Sequence, residues 1–335
     1  MDGAVGTKVP RGHWGTSHRA CETPGPRELD GLAPPPDTGV QAMSERDMPR
    51  LPSFVIIGDM KSATSTLYEQ LRRQPGIFMT TLKEPNFFSD PGQFAKGPEW
   101  YAQLFADAAP DDIIGEASTH YAKLPTYPDT VRRLQDSLGT PKLVYVMRHP
   151  VDRLVSQYMH QLGEGEIRLP LNAALTEHQE LIAYSLYAEQ LQPYIAAFGK
   201  ANILPMFFDR ILSDPHGELA RLCRFIGYAG KANWFDDQGR VNASADRVRK
   251  FPLYDLLIDH PAAQVLRRRL VPKPLRNRIR SALSVGDRPI LSDGTRRQLN
   301  RTFDADLSTL GTWLGCDLRC DNFRDATGAQ PLNWT

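Results

Sequence analysis

A three-layer α/β/α domain with a mostly parallel central sheet is the fold class this sequence predicts, and three observations predict it. Short apolar runs, several rich in β-branched residues, recur at 54–57, 77–79, 113–114, 143–147 and 203–208. Stretches with apolar residues at helical spacing separate them, as at Leu67 and Leu71, or Val151, Leu154, Val155 and Tyr158. Strands buried on both faces read as continuous apolar runs, so this alternation places helices on both sides of a parallel sheet. Third, 335 residues accommodate one large α/β domain or two ordinary ones, and the reading adopted is a single domain.

Taken in order, residues 1–50 are rich in Pro, Gly and charge and lack apolar periodicity, which predicts a disordered leader. No apolar run there is long enough for a signal peptide or a bilayer span, so the expected location is cytoplasmic, with no transmembrane segment. The folded domain is expected over 51–320, with 321–335 a C-terminal tail. Lys and Arg total 40 against 39 Asp and Glu, a net charge of +1. That balance argues against a general nucleic-acid binder and makes any attraction for anions local. Four cysteines are too few for a disulfide framework. Cys316 and Cys320 leave two readings open, a local bridge or two reduced thiols, and no metal is expected.

The first apolar run ends at Gly58, and Lys61-Ser62-Ala63-Thr64-Ser65-Thr66 leads into the helix marked by Leu67 and Leu71. Glycine permits the bend, and hydroxyls and backbone N–H groups at a helix start favour an anion. Lys61 adds a full positive charge. This P-loop-like unit is the expected site of an activated, phosphate-bearing donor; the plain alternative is a βα turn rich in Ser and Thr. An ATP or GTP loop places Lys after a second Gly, which is missing here. The arrangement resembles instead the 5′-phosphosulfate loop, commonly K-x-G-T-T-x-L, of sulfotransferases that use 3′-phosphoadenosine 5′-phosphosulfate (PAPS). Ala63 stands at its Gly, adding a methyl where the loop approaches an anion, and Ser65 at a Thr. The resemblance implies PAPS as co-substrate, with Lys61 neutralising the bridging oxygen as the bond to sulfur breaks.

Lys83-Glu84-Pro85-Asn86-Phe87-Phe88 comes next. The aromatic pair is expected to anchor the segment and hold Glu84 in place, where a carboxylate can take a proton from an acceptor. Otherwise Glu84 is a solvated partner of Lys83. Glu84-x-x-Phe87-Phe88 resembles the general-base segment of heparan sulfate sulfotransferases, and Gly97-Pro98-Glu99-Trp100-Tyr101 their following G-x-x-W-Y. In Gly115-Glu116-Ala117-Ser118-Thr119-His120-Tyr121, Ala117 replaces a Lys usual in that branch, and His120 is a rival base, since imidazole titrates near neutral pH.

The run at 143–147 is followed by Arg148, and Pro150 suits the first turn of a helix. Arg148 therefore ends a strand, at the edge where open α/β sheets bind ligands. A guanidinium fork and a hydroxyl suit a phosphate dianion. Arg148 through Ser156 is similar to the R-x-P-x-x-R-x-x-S element that grips the 3′-phosphate in the same family, which implies Arg148 and Ser156 as donor-binding residues. Kinases with a phosphate loop need an acidic residue at such a strand end to help hold Mg²⁺, and this chain has Arg there.

Further on, helices are expected over 186–198, 215–226 and 291–314. Tyr187 reads either as a contact to adenine or acceptor or as a packed aromatic. Arg249-Lys250-Phe251-Pro252 resembles a basic segment that closes over the nucleotide in the heparan sulfate relatives, making Arg247, Arg249 and Lys250 further candidates; a solvated loop is the alternative. The basic run from Arg267 to Arg280 fits an anionic glycan, a membrane surface or a solvated helical face. The expected reaction is transfer of a sulfonate from PAPS to a hydroxyl or amine of a small-molecule or glycan acceptor, with Lys61, Glu84 and His120 as the candidate catalytic residues. A P-loop small-molecule kinase and a non-catalytic nucleotide or glycan binder are the alternatives.

Overall fold

The computed structural model describes residues 50–236 and 288–335. Among them, β1 (Phe54–Gly58), β2 (Ile77–Met79), β3 (Ile113–Ala117), β4 (Lys142–Met147) and β5 (Ile203–Phe207) form one sheet in the order β2-β3-β1-β4-β5. Every pairing is parallel. The described helices are α1 (Thr64–Arg72), α2 (Pro91–Phe94), α3 (Pro98–Gln103), α4 (Thr130–Leu138), α5 (Pro150–Glu164), α6 (Leu171–Glu177), α7 (Glu180–Ala183), α8 (Tyr187–Phe198), α9 (Phe208–Ser213), α10 (Pro215–Phe225), α11 (Asp293–Leu314) and α12 (Phe323–Ala329).

Two cores explain why residues 54–57 of β1 and 143–147 of β4 are apolar at every position. Val55, Ile57, Leu143, Tyr145 and Met147 face one core with residues of α4, α5, α8 and α11; Phe54, Ile56, Val144 and Val146 face the other with residues of α1 and α10. Successive side chains of a strand point to opposite faces, so a strand covered on both sides has no polar position to spare. Burying each such side chain contributes roughly 1.5–3 kcal/mol. Gly115 is part of this fit: its register partner is Phe54, and a Cβ there would lie 2.1 Å from the Phe54 ring.

Some boundaries differ from the sequence expectation for physical reasons. The run at 113–114 continues as strand to Ala117, because Val55 and Ile56 pair with Glu116 and Ala117. Phe208 leaves β5 and begins α9. The segment expected as a tail carries α12, and Phe323 and Leu332 are buried in the first core. The Trp334 indole N–H donates to Ile203 O at 2.6 Å, tying the C-terminal residues to β5. Cys316 and Cys320 are free thiols. No helix among the described residues is long and apolar enough to cross a membrane. Residues 1–49 and the basic run from Arg267 to Arg280 lie outside the described residues.

The topology creates the site. After β1 the chain enters α1 on one face, and after β4 it enters α5 on the other. Adjacent strands whose following loops diverge leave a crevice at their carboxyl ends, the usual ligand position of an open parallel sheet.

Candidate active site

Gly58 closes β1 where no side chain fits, since a Cβ would lie 2.5 Å from the Cβ of Ala122. The chain then curls tightly, with Lys61 at φ 76° and Ala63 at φ 71°. A left-handed residue bearing a Cβ is disfavoured by roughly 1–2 kcal/mol, which gives a preference for Gly at position 63 a basis in the backbone angle itself. The Ala63 carbonyl accepts from the N–H of Thr66 at 3.0 Å and of Leu67 at 3.1 Å, so Ala63 is the N-cap of α1, and it has no polar side chain with which to cap the first turn. First-turn amides that a helix cannot bond internally attract an anion, and no acidic residue stands there to compete. The hydroxyl of Ser62 is fully buried with no hydrogen-bond partner among the described residues. An unpaired buried hydroxyl costs about 1–3 kcal/mol, a penalty that an anion oxygen accepting from it would offset. Thr64 is buried, and Ser65 and Thr66 are half-buried. The loop fits the phosphosulfate group expected from its sequence.

The Glu84 segment is held as its aromatics foretold. Phe87 stacks on Tyr101 at 4.5 Å and lies 6.0 Å from Trp100; Phe88 meets Tyr101 edge-on at 4.9 Å. Glu84 and Asn86 adopt φ 55° and 52°, and β3 and the residue after it pin both: Glu84 N–H donates to Ala117 O at 3.1 Å, and Asn86 N–H to Ser118 Oγ at 3.1 Å. The Glu84 carboxylate accepts from Thr119 Oγ1 at 3.1 Å and from Lys83 Nζ at 3.2 Å. Lys83 Nζ also donates to Ser65 Oγ at 2.6 Å, so one ammonium links the base candidate to the start of α1.

His120 is packed differently. Its ring stacks on Tyr127 at 5.1 Å, and its Nδ1 is buried without a hydrogen-bond partner among the described residues. Burial, helped by nearby Lys123, pushes its pKa down to about 4, with Glu84 and Asp90 opposing. The imidazole is therefore neutral at physiological pH and a weaker proton acceptor than an ordinary histidine.

Arg148 reaches back to the phosphate loop: its Nη1 donates to Lys61 O at 3.2 Å, and its guanidinium lies 4.6 Å over the Phe208 ring. The Tyr187 hydroxyl donates to Arg148 O at 2.5 Å and accepts from Arg148 N–H at 3.3 Å. Fully buried Tyr187 is thus a packed aromatic that fixes Arg148. Ser156 is buried on α5, two turns along. Arg153 braces the framework. Fully buried, it donates to Ser185 Oγ, to Gln157 Oε1 at 2.8 Å and to Leu181 O at 2.8 Å, and it pairs with buried Asp59 at 3.3 Å. That pair ties the turn after β1 to the helix after β4. Arg247, Arg249 and Lys250 lie outside the described residues.

A sulfotransferase domain model matches residues 51–253. This chain belongs to the sulfotransferase domain family. The family draws its sulfonate from PAPS. The chain is 30% identical over 188 residues to heparan sulfate glucosamine 3-O-sulfotransferase 3B1 of Mus musculus, covering 53% of this chain and 46% of that protein. It is 29% identical over 218 residues to heparan sulfate glucosamine 3-O-sulfotransferase 6 of Mus musculus, covering 60% and 62%. The chain thus spans about half the length of the curated relatives it matches. A sulfotransferase from Alicyclobacillus acidocaldarius superposes with a TM-score of 0.59 at 23% identity, covering 80% of this chain and 98% of that one, and shares the fold.

Several residues of this sulfotransferase domain carry no local signal of their place in it. Lys83 reads in sequence only as a solvated partner for Glu84, whereas its bond to Ser65 joins segments 18 residues apart. Lys123 follows the turn that carries His120; burial lowers its pKa, against the nearby charges of Glu84 and Asp59. The Asp59–Arg153 pair is hidden because three strands separate its members along the chain. Ser185 uses its hydroxyl to accept from Arg153 and to donate to Pro150 O at 3.2 Å.

Proposed function

We propose that this chain transfers a sulfonate from PAPS to a hydroxyl or amine of an acceptor, and that the acceptor is carbohydrate-like. The observation that carries the reading is the contact of the Arg148 guanidinium with the Lys61 carbonyl, because it brings the two nucleotide elements to one crevice. Arg148 and Ser156 hold the 3′-phosphate, and the loop from Lys61 to Thr66 holds the 5′-phosphosulfate. Glu84 takes the proton of the acceptor as that oxygen or nitrogen bonds to sulfur. The bond from sulfur to the bridging oxygen breaks, and Lys61 offsets the charge left on adenosine 3′,5′-bisphosphate. Glu84 suits the role of base better than His120, since its carboxylate is oriented by Thr119 and Lys83 whereas the imidazole is packed on Tyr127. The carbohydrate acceptor is supported by the Glu84-x-x-Phe87-Phe88 segment and by the activity that names the 3-O-sulfotransferase relatives.

The test is transfer of radiolabelled sulfonate from PAPS to a panel of glucosamine-containing oligosaccharides, simple alcohols and amines. Glu84→Gln is expected to lower turnover by about 10²–10⁴ with adenosine 3′,5′-bisphosphate affinity unchanged. If His120→Ala alone has that effect, the base is His120. ATP turnover in place of sulfonate transfer would make the chain a kinase, and tight donor binding without turnover on any acceptor would make it a binding protein.

A further inference from the structure

The C-terminal segment adds two arginines to the β4–α5 junction. Arg288 and Arg324 each donate to a different oxygen of Asp152, which stands in the first turn of α5. Neither arginine lies within the span matched by the family model, 51–253. Asp152 and Ser156 are four residues apart on a helix and so share a face. The two guanidiniums are therefore anchored one turn from Ser156, and Arg288 is near enough to Arg148 to disfavour its charge.

The segment that carries Arg324 is held in place by its neighbours. His149 Nε2–H donates to Cys320 O at 2.9 Å, the His149 ring meets Phe323 at 5.8 Å, and Phe323 meets Phe207 at 6.0 Å. Arg210 Nη1 donates to Gly328 O at 3.3 Å, closing α12 against α9. These contacts bind α12 to the same junction that positions Arg148. Among the described residues the charge there is unbalanced: Arg148, Arg288 and Arg324 face Asp152 and Asp209, and burial raises the pKa of Asp209. Burial also pushes the Asp152 carboxyl up, but Arg324 and Arg288 more than reverse this, so Asp152 stays ionised and keeps both arginines in place. Each guanidinium has five N–H donors and commits one amino group to Asp152, which leaves donors for a second anion. Both side chains are more than half exposed, so a ligand can reach them.

We infer that Arg288 and Arg324, oriented by Asp152, belong to the donor site and recognise the 3′-phosphate of the nucleotide beside Arg148 and Ser156. The inference rests on the PAPS reading and deepens it: the C-terminal segment distinguishes a 3′-phosphorylated adenine nucleotide from one lacking that group.

Calorimetry on the full chain with adenosine 3′,5′-bisphosphate and adenosine 5′-monophosphate tests it through the ratio of the two affinities. The wild-type chain is expected to prefer the bisphosphate, and Arg288→Gln with Arg324→Gln to cut that preference by about tenfold while leaving the monophosphate within about twofold. Because the ratio is internal to each variant, general loosening of the C-terminal segment weakens both ligands and cancels. An unchanged ratio would make the arginines mere staples on Asp152 and overturn the inference. Should the double Gln variant not fold, Arg288→Lys with Arg324→Lys, which keeps the charge and loses the fork, is read by the same ratio with a smaller expected fall. A wild-type chain that binds neither nucleotide sinks the donor reading itself; one that discriminates while both variants match it sinks only the role of the arginines.

Discussion

At the carboxyl end of β1 the groups proposed to meet an anion belong mostly to the backbone, whereas at the carboxyl end of β4 they belong to side chains. The first region works through chain shape: left-handed Lys61 and Ala63, an uncapped helix start and the buried Ser62 hydroxyl. The second works through Arg148, whose backbone is locked by Tyr187 and whose guanidinium rests on Phe208. A backbone cradle tolerates substitution wherever the angles survive, so Ala and Ser can stand where the resembled motif has Gly and Thr. A side-chain grip tolerates little, because each donor is fixed by a partner far along the chain.

The largest break in this contrast is expected where a side chain serves the backbone cradle. Lys61→Ala should lower sulfonate transfer by about 10²–10³ while the chain stays folded, because in the proposed reaction it removes the cation that offsets charge on the departing oxygen. Turnover near wild type in the radiolabel assay would remove Lys61 from the mechanism. Arg148→Lys keeps the charge but loses the planar fork, and should weaken adenosine 3′,5′-bisphosphate by about tenfold in calorimetry.

The buried acids beside the two regions set a pH response. Burial raises the pKa of Asp59 to about 7, although Arg153 opposes it, and burial raises that of Glu116 to about 7, although the Tyr121 and Tyr101 hydroxyls nearby oppose it without forming well-aligned bonds. Their ordinary values are 3.8 and 4.5. Between about pH 4 and pH 7 the folded chain therefore holds protons that the unfolded chain has released, so these groups make stability fall as pH rises through that window. Urea midpoints at pH 5.5 and pH 8 check the sign. Glu116→Gln should flatten the difference, and a steeper one would contradict the assignment.

The smallest effect sharpens the contrast most. Ala63→Gly should leave stability unchanged or raise it by up to about 1 kcal/mol, because relief of the left-handed angle is set against added freedom in the unfolded chain. Ala63→Val, β-branched in the same angle, should lose more than that in the same denaturation experiment. A clear loss with Gly would mean that position 63 is governed by packing and not by backbone angle.

What could be read in the sequence was local. The runs at 54–57, 77–79 and 143–147 announced their strands because a strand buried on both faces must be apolar at every position, and Pro150 and Leu154 announced α5 in the same way. The aromatic pair at 87–88 foretold an anchored Glu84, since rings of that size seek a core. The apolar run at 113–114 could not foretell that β3 continues through Glu116, because a buried carboxyl runs against the strand pattern and only pairing with β1 sustains it.

By itself the sequence determined the strands, the helices that follow them and the residue types that stand at two strand ends, because hydrophobic period and turn residues act over a few positions. Only the tertiary structure decided that Lys61 and Arg148 touch, that Asp59 meets Arg153, and that Phe323 and Arg324 meet the β4–α5 junction. Those meetings depend on strand order and on which face each helix covers, and contacts between residues far apart in the chain leave no periodic trace in the order of the amino acids.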